Sequence, residues 1–191
     1  MRPIQLEWLV VAAAVLATSA CSSSGAGGGS ASDGVPAAGA VPISADLFPC
    51  AAATSSFVTS RGDARTLRVE PAPDGATLWF EGAGVEPRRM DVRRAGTGFV
   101  FSSGPDAETE LLRVGAAPGA EWMSGTARVQ FEGWERISTP AGTYDAARIR
   151  VTTGPPTLPV VQTWWFVPGT GLVRLRSDRA GIFSDEISRS R

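Results

Sequence analysis

Two adjacent tryptophans, Trp164 and Trp165, sit in an apolar run that begins at Val160 and ends at Val167. The run is followed by the turn Pro168-Gly-Thr-Gly171 and a second apolar stretch from Leu172 to about Arg176. Consecutive side chains of a β-strand point to opposite faces of the sheet. A strand holding this pair therefore places a large aromatic group on each side. The segment reads as a hairpin around which the rest of the domain should wrap, and any fold built on it must cover both faces of a sheet.

Upstream, short apolar runs recur at strand length, separated by Gly, Pro, Asp and Ser. Residues 57–60 and 66–70 form the first two, the second with Leu67 and Val69 on one face. Residues 76–81 follow, with Leu78 and Phe80 opposed to Trp79. Residues 88–94 place Met90 and Val92 inward and Asp91 and Arg93 outward, and a Gly-rich turn joins them to 99–102. Residues 105–112 read equally as a short helical turn capped by Asp106 or as an extended run through Val114. Residues 121–137 read as one long strand, with Ala127, Val129 and Phe131 against Arg128, Gln130 and Glu132, and Gly133 marks a bulge. Residues 143–152 and 182–188 supply the remaining strands.

The pattern predicts an all-β domain, an antiparallel meander of about ten strands curled into a barrel or half-barrel, with little helix beyond the N-terminal signal. The arginine-rich outward positions Arg88, Arg93, Arg148, Arg150, Arg174 and Arg176 suit a solvated convex surface.

The N-terminus gives the address. Arg2 precedes the apolar run of residues 9–17, which is too short for a spanning helix of ~20 residues and suits a secretion signal. Leu16-Ala-Thr-Ser-Ala-Cys21 resembles a bacterial lipobox, in which the cysteine is lipidated and becomes the first mature residue. Thr18 stands where an aliphatic residue is usual, and Glu7 dilutes the basic start. The organisation expected is a signal peptide over 1–20, a Gly/Ser/Ala/Pro tether over 21–46 and one β-rich domain over 47–191. The alternative is plain secretion with cleavage after Ala20, which leaves Cys21 able to pair with Cys50 in an oxidising compartment. If Cys21 is lipidated, Cys50 is left unpaired and reads as a small buried hydrophobe.

Two further segments resemble a known group. Glu135-Arg-Ile-Ser-Thr-Pro-Ala-Gly-Thr-Tyr-Asp-Ala-Ala-Arg-Ile-Arg150 and Thr163-Trp-Trp-Phe-Val-Pro-Gly-Thr-Gly-Leu-Val173, preceded by Pro118-Gly-Ala-Glu-Trp122, are similar to motifs of secreted bacterial β-rich domains of uncharacterised function. Members of that group are often lipoproteins, and some resemble the half-barrels that carry lipoproteins or other lipids across the periplasm. The match covers about residues 111–176, with Thr170 in place of the usual aliphatic residue. The residues that carry it have a turn reading of their own. Pro140 fixes φ, Gly142 supplies a positive φ, and Tyr144 and Asp145 could pin the turn by hydrogen bonds to neighbouring backbone. Pro168, Gly169 and Gly171 set the next reversal.

The net charge of -1 gives no bulk electrostatic case for nucleic acid or an anionic membrane surface. All 18 basic residues are arginine, and histidine and lysine are absent. The chain thus has no imidazole for proton transfer or metal binding and no lysine for a Schiff base. No cofactor or metal site is expected. The reading that leads is a membrane-tethered, non-enzymatic lipoprotein of the bacterial envelope that binds an apolar ligand or a partner protein through an apolar sheet face, with Trp79, Trp164, Trp165 and Phe166 as the candidate face. A structural or assembly role in an envelope complex is the alternative. A carboxylate-based glycan hydrolase using Glu132 and Glu135, or Asp185 and Glu186, is the third class. Where the source has an outer membrane, Ser22 lacks the aspartate that commonly retains lipoproteins at the inner one, so the resemblance implies outer-membrane delivery. With a single membrane, the anchor would sit in its outer leaflet.

Overall fold

A computed structural model describes residues 41–104, 108–179 and 183–190. The expected signal peptide and most of the expected tether, together with Cys21 and Asp106, lie outside the described residues. Twelve strands make one sheet in which every hydrogen-bonded neighbour is antiparallel. They are β1 (Ala53–Thr59), β2 (Ala64–Ala72), β3 (Gly75–Gly82), β4 (Val85–Ala95), β5 (Gly98–Ser102), β6 (Glu108–Arg113), β7 (Glu121–Ser124), β8 (Ala127–Thr139), β9 (Gly142–Thr153), β10 (Val160–Val167), β11 (Gly171–Arg179) and β12 (Phe183–Arg189). The sheet order runs β6-β5-β4-β3-β2-β1-β12-β11-β10-β9-β8-β7, a meander whose first and last strands pair with each other. The result is a nearly closed barrel. Among the described residues the only helical element is a 3-10 turn, Ala45–Leu47.

Twelve strands replace the expected ten or so for identifiable reasons. The run from Glu121 to Ile137 is two strands, because Ser124-Gly125-Thr126 reverses the chain and pairs Trp122 with Val129. The described part of the ambiguous stretch, Glu108–Arg113, is extended, with Leu111 and Leu112 nearly inaccessible.

The seam lies between β6 and β7, which follow one another in sequence but share no ladder. Side chains bridge it instead. The Glu110 amide donates to Ser124 Oγ at 2.7 Å, and Trp122 Nε1 donates to the Glu110 carbonyl at 2.7 Å. Both backbone groups that a neighbouring strand would satisfy are thus taken by β7 side chains.

Folded structure also begins earlier than residue 47. Ile43, Leu47 and Phe48 are buried at 1%, 0% and 4% exposure, because residues 41–48 form a strap that packs into the barrel. The strap joins no ladder. Its backbone bonds go to connections: Ile43 N to Ala116 O, Gly115 N to Ile43 O, and Gly169 N to Asp46 O. Trp134 Nε1 adds a bond to the Val41 carbonyl at 2.7 Å. In an up-and-down meander the β6–β7 and β10–β11 connections fall at the same end of the barrel, so the strap crosses that end.

One apolar cluster fills the interior, with contributions from strands around the whole barrel and from the strap. Gly133 shapes its boundary. Its φ of 128° is open to glycine and costly for other residues, and the β8/β9 register shifts between Phe131 and Gly133. Phe131 faces inward before the bulge and Trp134 packs inward after it, so Ile137 turns to the outer face. The same shift places Glu132 and Glu135 on one side of the sheet.

Candidate functional site

The tryptophan pair divides as strand geometry requires. Trp164 belongs to the interior, stacked on Phe166 with centroids 6.1 Å apart and 6.0 Å from Phe101. Trp165 belongs to a second, outer cluster with Ile137, Ala146 and Val173, against which Tyr144 and Val167 pack. Both indoles are buried, at 4% and 6% exposure.

This chain covers its own outer face. The register sets Arg148 of β9 and Arg174 of β11 on either side of Trp165. Their guanidinium carbons lie 5.7 and 5.6 Å from the ring centroid, within cation–π range. Trp165 Nε1 donates to Glu135 Oε1. Arg148 reaches Glu132 at 2.5 Å, where the atoms meet as an ion pair off the hydrogen-bonding axis, and Glu135 at 3.4 Å. Arg150 approaches the other Glu132 oxygen at 3.5 Å. Arg174 contacts Glu186 at 3.4 Å and donates to Ser188 Oγ and the Ser138 carbonyl. Arg148, Arg150 and Arg174 are therefore cross-strand partners of carboxylates, two of them over an aromatic ring, rather than a free basic surface.

Trp79 stands elsewhere, on the outer face of β3. Arg68 and Arg89 flank it at 5.6 and 6.0 Å, and its Nε1 donates to Glu70 at 2.8 Å. The four residues Trp79, Trp164, Trp165 and Phe166 do not form one face: Trp164 and Phe166 are internal, and the other two sit on the outside of different strands. Two shallow depressions lie on the surface, one between β1 and β2 near Ala52 and Pro71, the other across β3 and β4 near Thr77 and Asp91. Neither includes any of the four.

Gly142, Gly169 and Gly171 all have positive φ. The 139–142 turn is fastened by Thr139, whose Oγ1 accepts from the Ala141 amide and donates to the Gly142 carbonyl. Among the hydrogen bonds found there, Tyr144 and Asp145 pin nothing; Tyr144 packs on the outer cluster and Asp145 forms a two-pronged pair with Arg136. That hydrogen bond holds the Asp145 carboxyl below its usual range and raises the Arg136 guanidinium. A lowered carboxylate contributes stability above its unfolded pKa of about 3.9 and loses it as pH falls through the lower folded value. Both groups are fully exposed, so the contribution is small.

Of the carboxylates weighed for hydrolysis, Glu132 and Glu135 do come together, but across Arg148 and on the convex face. Glu186 pairs with Arg174 across β11 and β12. Among the described residues no group of three or more His, Cys, Asp or Glu is placed to hold a metal ion, and no helix is long and apolar enough to cross a membrane. Cys50 is half-buried, with its Sγ 4.0 Å from the Phe48 carbonyl oxygen.

Replacing Arg148 with methionine keeps its reach over Trp165 and removes the cation that Glu132 and Glu135 share. The expected loss is about 1–2 kcal/mol, discounted for partial exposure of the arginine. Adding Glu132→Gln should restore part of it. Urea unfolding of the single and double variants at neutral pH measures both.

No family model matches the chain, and no curated protein matches its sequence. Two solved structures are similar. One, a candidate lipoprotein of Parabacteroides distasonis ATCC 8503, superposes with a TM-score of 0.50 at 16% identity, over 78% of this chain and 99% of that one. The other, a candidate exported protein of Bacteroides fragilis NCTC 9343 with a YmcC-like fold, gives a TM-score of 0.45 at 16% identity, over 75% and 97%. The first of these likenesses shows a common fold.

Proposed function

We propose that this chain is a lipid-anchored, non-enzymatic protein of the bacterial envelope, attached through Cys21, whose domain takes up an apolar ligand in the barrel interior. The observation that carries the reading is the contrast between the two sheet faces. The outer face is tiled by arginine–carboxylate pairs that cover Trp165 and flank Trp79. The continuous apolar cluster is internal, and a strap outside the ladder crosses one end of it. The description of the Parabacteroides distasonis protein as a candidate lipoprotein agrees with the lipobox-like sequence around Cys21. A non-enzymatic reading is supported by Glu132 and Glu135, whose carboxylates are engaged by arginines on a convex surface.

The test has two parts. Cells fed a labelled palmitate analogue should yield a labelled mature product beginning at Cys21, and Cys21→Ser should abolish the label. Native mass spectrometry of the released protein should then show a lipid-sized adduct that fatty acid displaces. Label retained in Cys21→Ser would sink the anchor, and a bare protein that takes up no fatty acid would sink the ligand.

A role in assembling an envelope complex draws on a separate observation. Met123 on the short seam strand β7 is 62% exposed, beside strand edges that no ladder joins. Pull-down from membranes with a Met123→Lys control favours that role if a stoichiometric partner is captured and the substitution releases it.

A further inference from the structure

Five tryptophans lie among the described residues, and four of their indole nitrogens are bonded: Trp79 to Glu70, Trp122 to the Glu110 carbonyl, Trp134 to the Val41 carbonyl and Trp165 to Glu135. Trp164 is the exception. Its side chain is 4% exposed, and its Nε1 finds no acceptor among the described residues. An N–H buried without a partner is unfavourable, and such groups in folded proteins call for a specific cause. The neighbouring interior position is a phenylalanine, Phe166, so packing alone does not require a nitrogen here.

The strap approaches Trp164 through Phe101. Phe48 lies 5.4 Å from Phe101, and Phe101 lies 6.0 Å from Trp164, so one aromatic ring separates the strap from the orphan donor. The strap is fully integrated in packing yet weakly integrated in hydrogen bonding. It contributes Ile43, Leu47 and Phe48 to the core but is fastened through a few bonds to the β6–β7 connection, to the β10–β11 turn and to Trp134. Withdrawing it would break no strand pairing.

From these observations we infer that the strap is an exchangeable plug over an acyl-chain site whose polar handle is Trp164 Nε1. The apolar walls would take the chain, and the indole N–H would donate to its carbonyl oxygen. The three plugging side chains hold about fifteen carbons, so at constant packing density the space they vacate matches a chain of about sixteen. The site deepens the proposed function, on which it rests, by naming the ligand class and the residue that selects it. Free fatty acid and the acyl ester of a membrane lipid share the required carbonyl. Nineteen residues separate Cys21 from Val41, a span of at most about 70 Å, so the plugged end stays within reach of the lipid surface that would hold the anchor.

The test uses the full chain with Cys21→Ser, which removes the acylation site, labelled with 15N at its indoles. Palmitic acid, hexadecane and phosphatidylcholine vesicles are titrated in turn, and Trp164→Phe assigns the Trp164 signal. Palmitic acid should move that signal downfield, and hexadecane should not. Phe48→Ala should tighten palmitic acid binding about tenfold by weakening the competitor, and Trp164→Phe should weaken it about fivefold without changing hexadecane binding. A shift with the free acid alone, or with vesicles as well, supports the site and distinguishes the two sources. Palmitic acid binding that leaves the Trp164 signal in place, or is equal in all three proteins, overturns the plug and handle while leaving the proposed function intact. No acyl binding in any protein removes that function too. Because Trp164→Phe keeps an aromatic ring at this position, its result stands even if Phe48→Ala fails to fold.

Discussion

Phe166→Ala should destabilise the domain by about 3–5 kcal/mol. Phe166 is completely buried, lies flat on Trp164 and meets Phe101 edge-on at 6.1 Å. Its strand is held on both sides, by β9 and β11, so the backbone has little freedom to collapse into the space left. Removing the ring deletes its transfer free energy and also strips contacts from two other aromatics. Domains are stable by only about 5–15 kcal/mol, so the variant would lose a large share of its margin. At about 2–4 °C per kcal/mol for a domain of this size, the melting temperature should fall by roughly 10 °C or more. Val167→Ala, one residue along and partly exposed, is the control. A loss below about 1 kcal/mol for Phe166→Ala would contradict the tightly packed interior described above.

Gly75→Ala is the second large effect, and its origin is steric rather than apolar. Gly75 opens β3 opposite Arg93 of β4. A Cβ built there would lie 1.9 Å from the Val92 carbonyl oxygen, 2.8 Å from its carbon and 2.9 Å from Arg93 Cα. All three are backbone atoms, so no rotamer change relieves the clash and the strands must part. Overpacking of an ordinary core site costs about 1–3 kcal/mol. Here neighbouring ladder bonds, each worth about 1 kcal/mol, are lost as well, and the sum should exceed about 3 kcal/mol. Gly104→Ala, where a Cβ would meet nothing within 4 Å, should be almost silent. Chemical denaturation of the two variants side by side separates crowding from the general effect of replacing a glycine. Equal stability would mean that β3 and β4 sit farther apart than the structure places them.

Period-two alternation made most of the barrel legible. Met90 and Val92 against Asp91 and Arg93, or Val129 and Phe131 against Arg128 and Gln130, announce one buried and one solvated face, and the structure agrees. Alternation could not show where a strand ends when the turn residues are small and polar. Ser124-Gly125-Thr126 fits a strand as well as a reversal, and the pairing of Trp122 with Val129 decides it. The strap was hidden for a related reason: Ile43 stands alone among Pro, Ser and Ala, and its burial depends on a barrel mouth formed by distant chain.

The candidate site shows the same division. Opposite placement of Trp164 and Trp165 follows from strand geometry alone. The cover over Trp165 does not, because Arg148 and Arg174 reach it only through the registers of β9 and β11. Gly133 could be read as a bulge, but its consequence needed the paired strand. A single extra residue reverses the phase of β8 and turns Glu135 outward to the indole it binds. The orphan nitrogen of Trp164 carries no sequence signal at all.

The break in the barrel falls in the middle of the chain, while its two ends are zipped together, Thr59 of β1 opposite Ile187 of β12. A polypeptide that crosses a membrane N-terminus first would complete β1–β6 as local hairpins and then hold the outer edge of β1 unpaired until the last strand arrives. An open edge of this kind recruits foreign strands, and pairing between distant segments is slow. For an exported chain, the vulnerable interval is therefore the wait between the emergence of β1 and that of β12, and it lengthens with every residue placed between them.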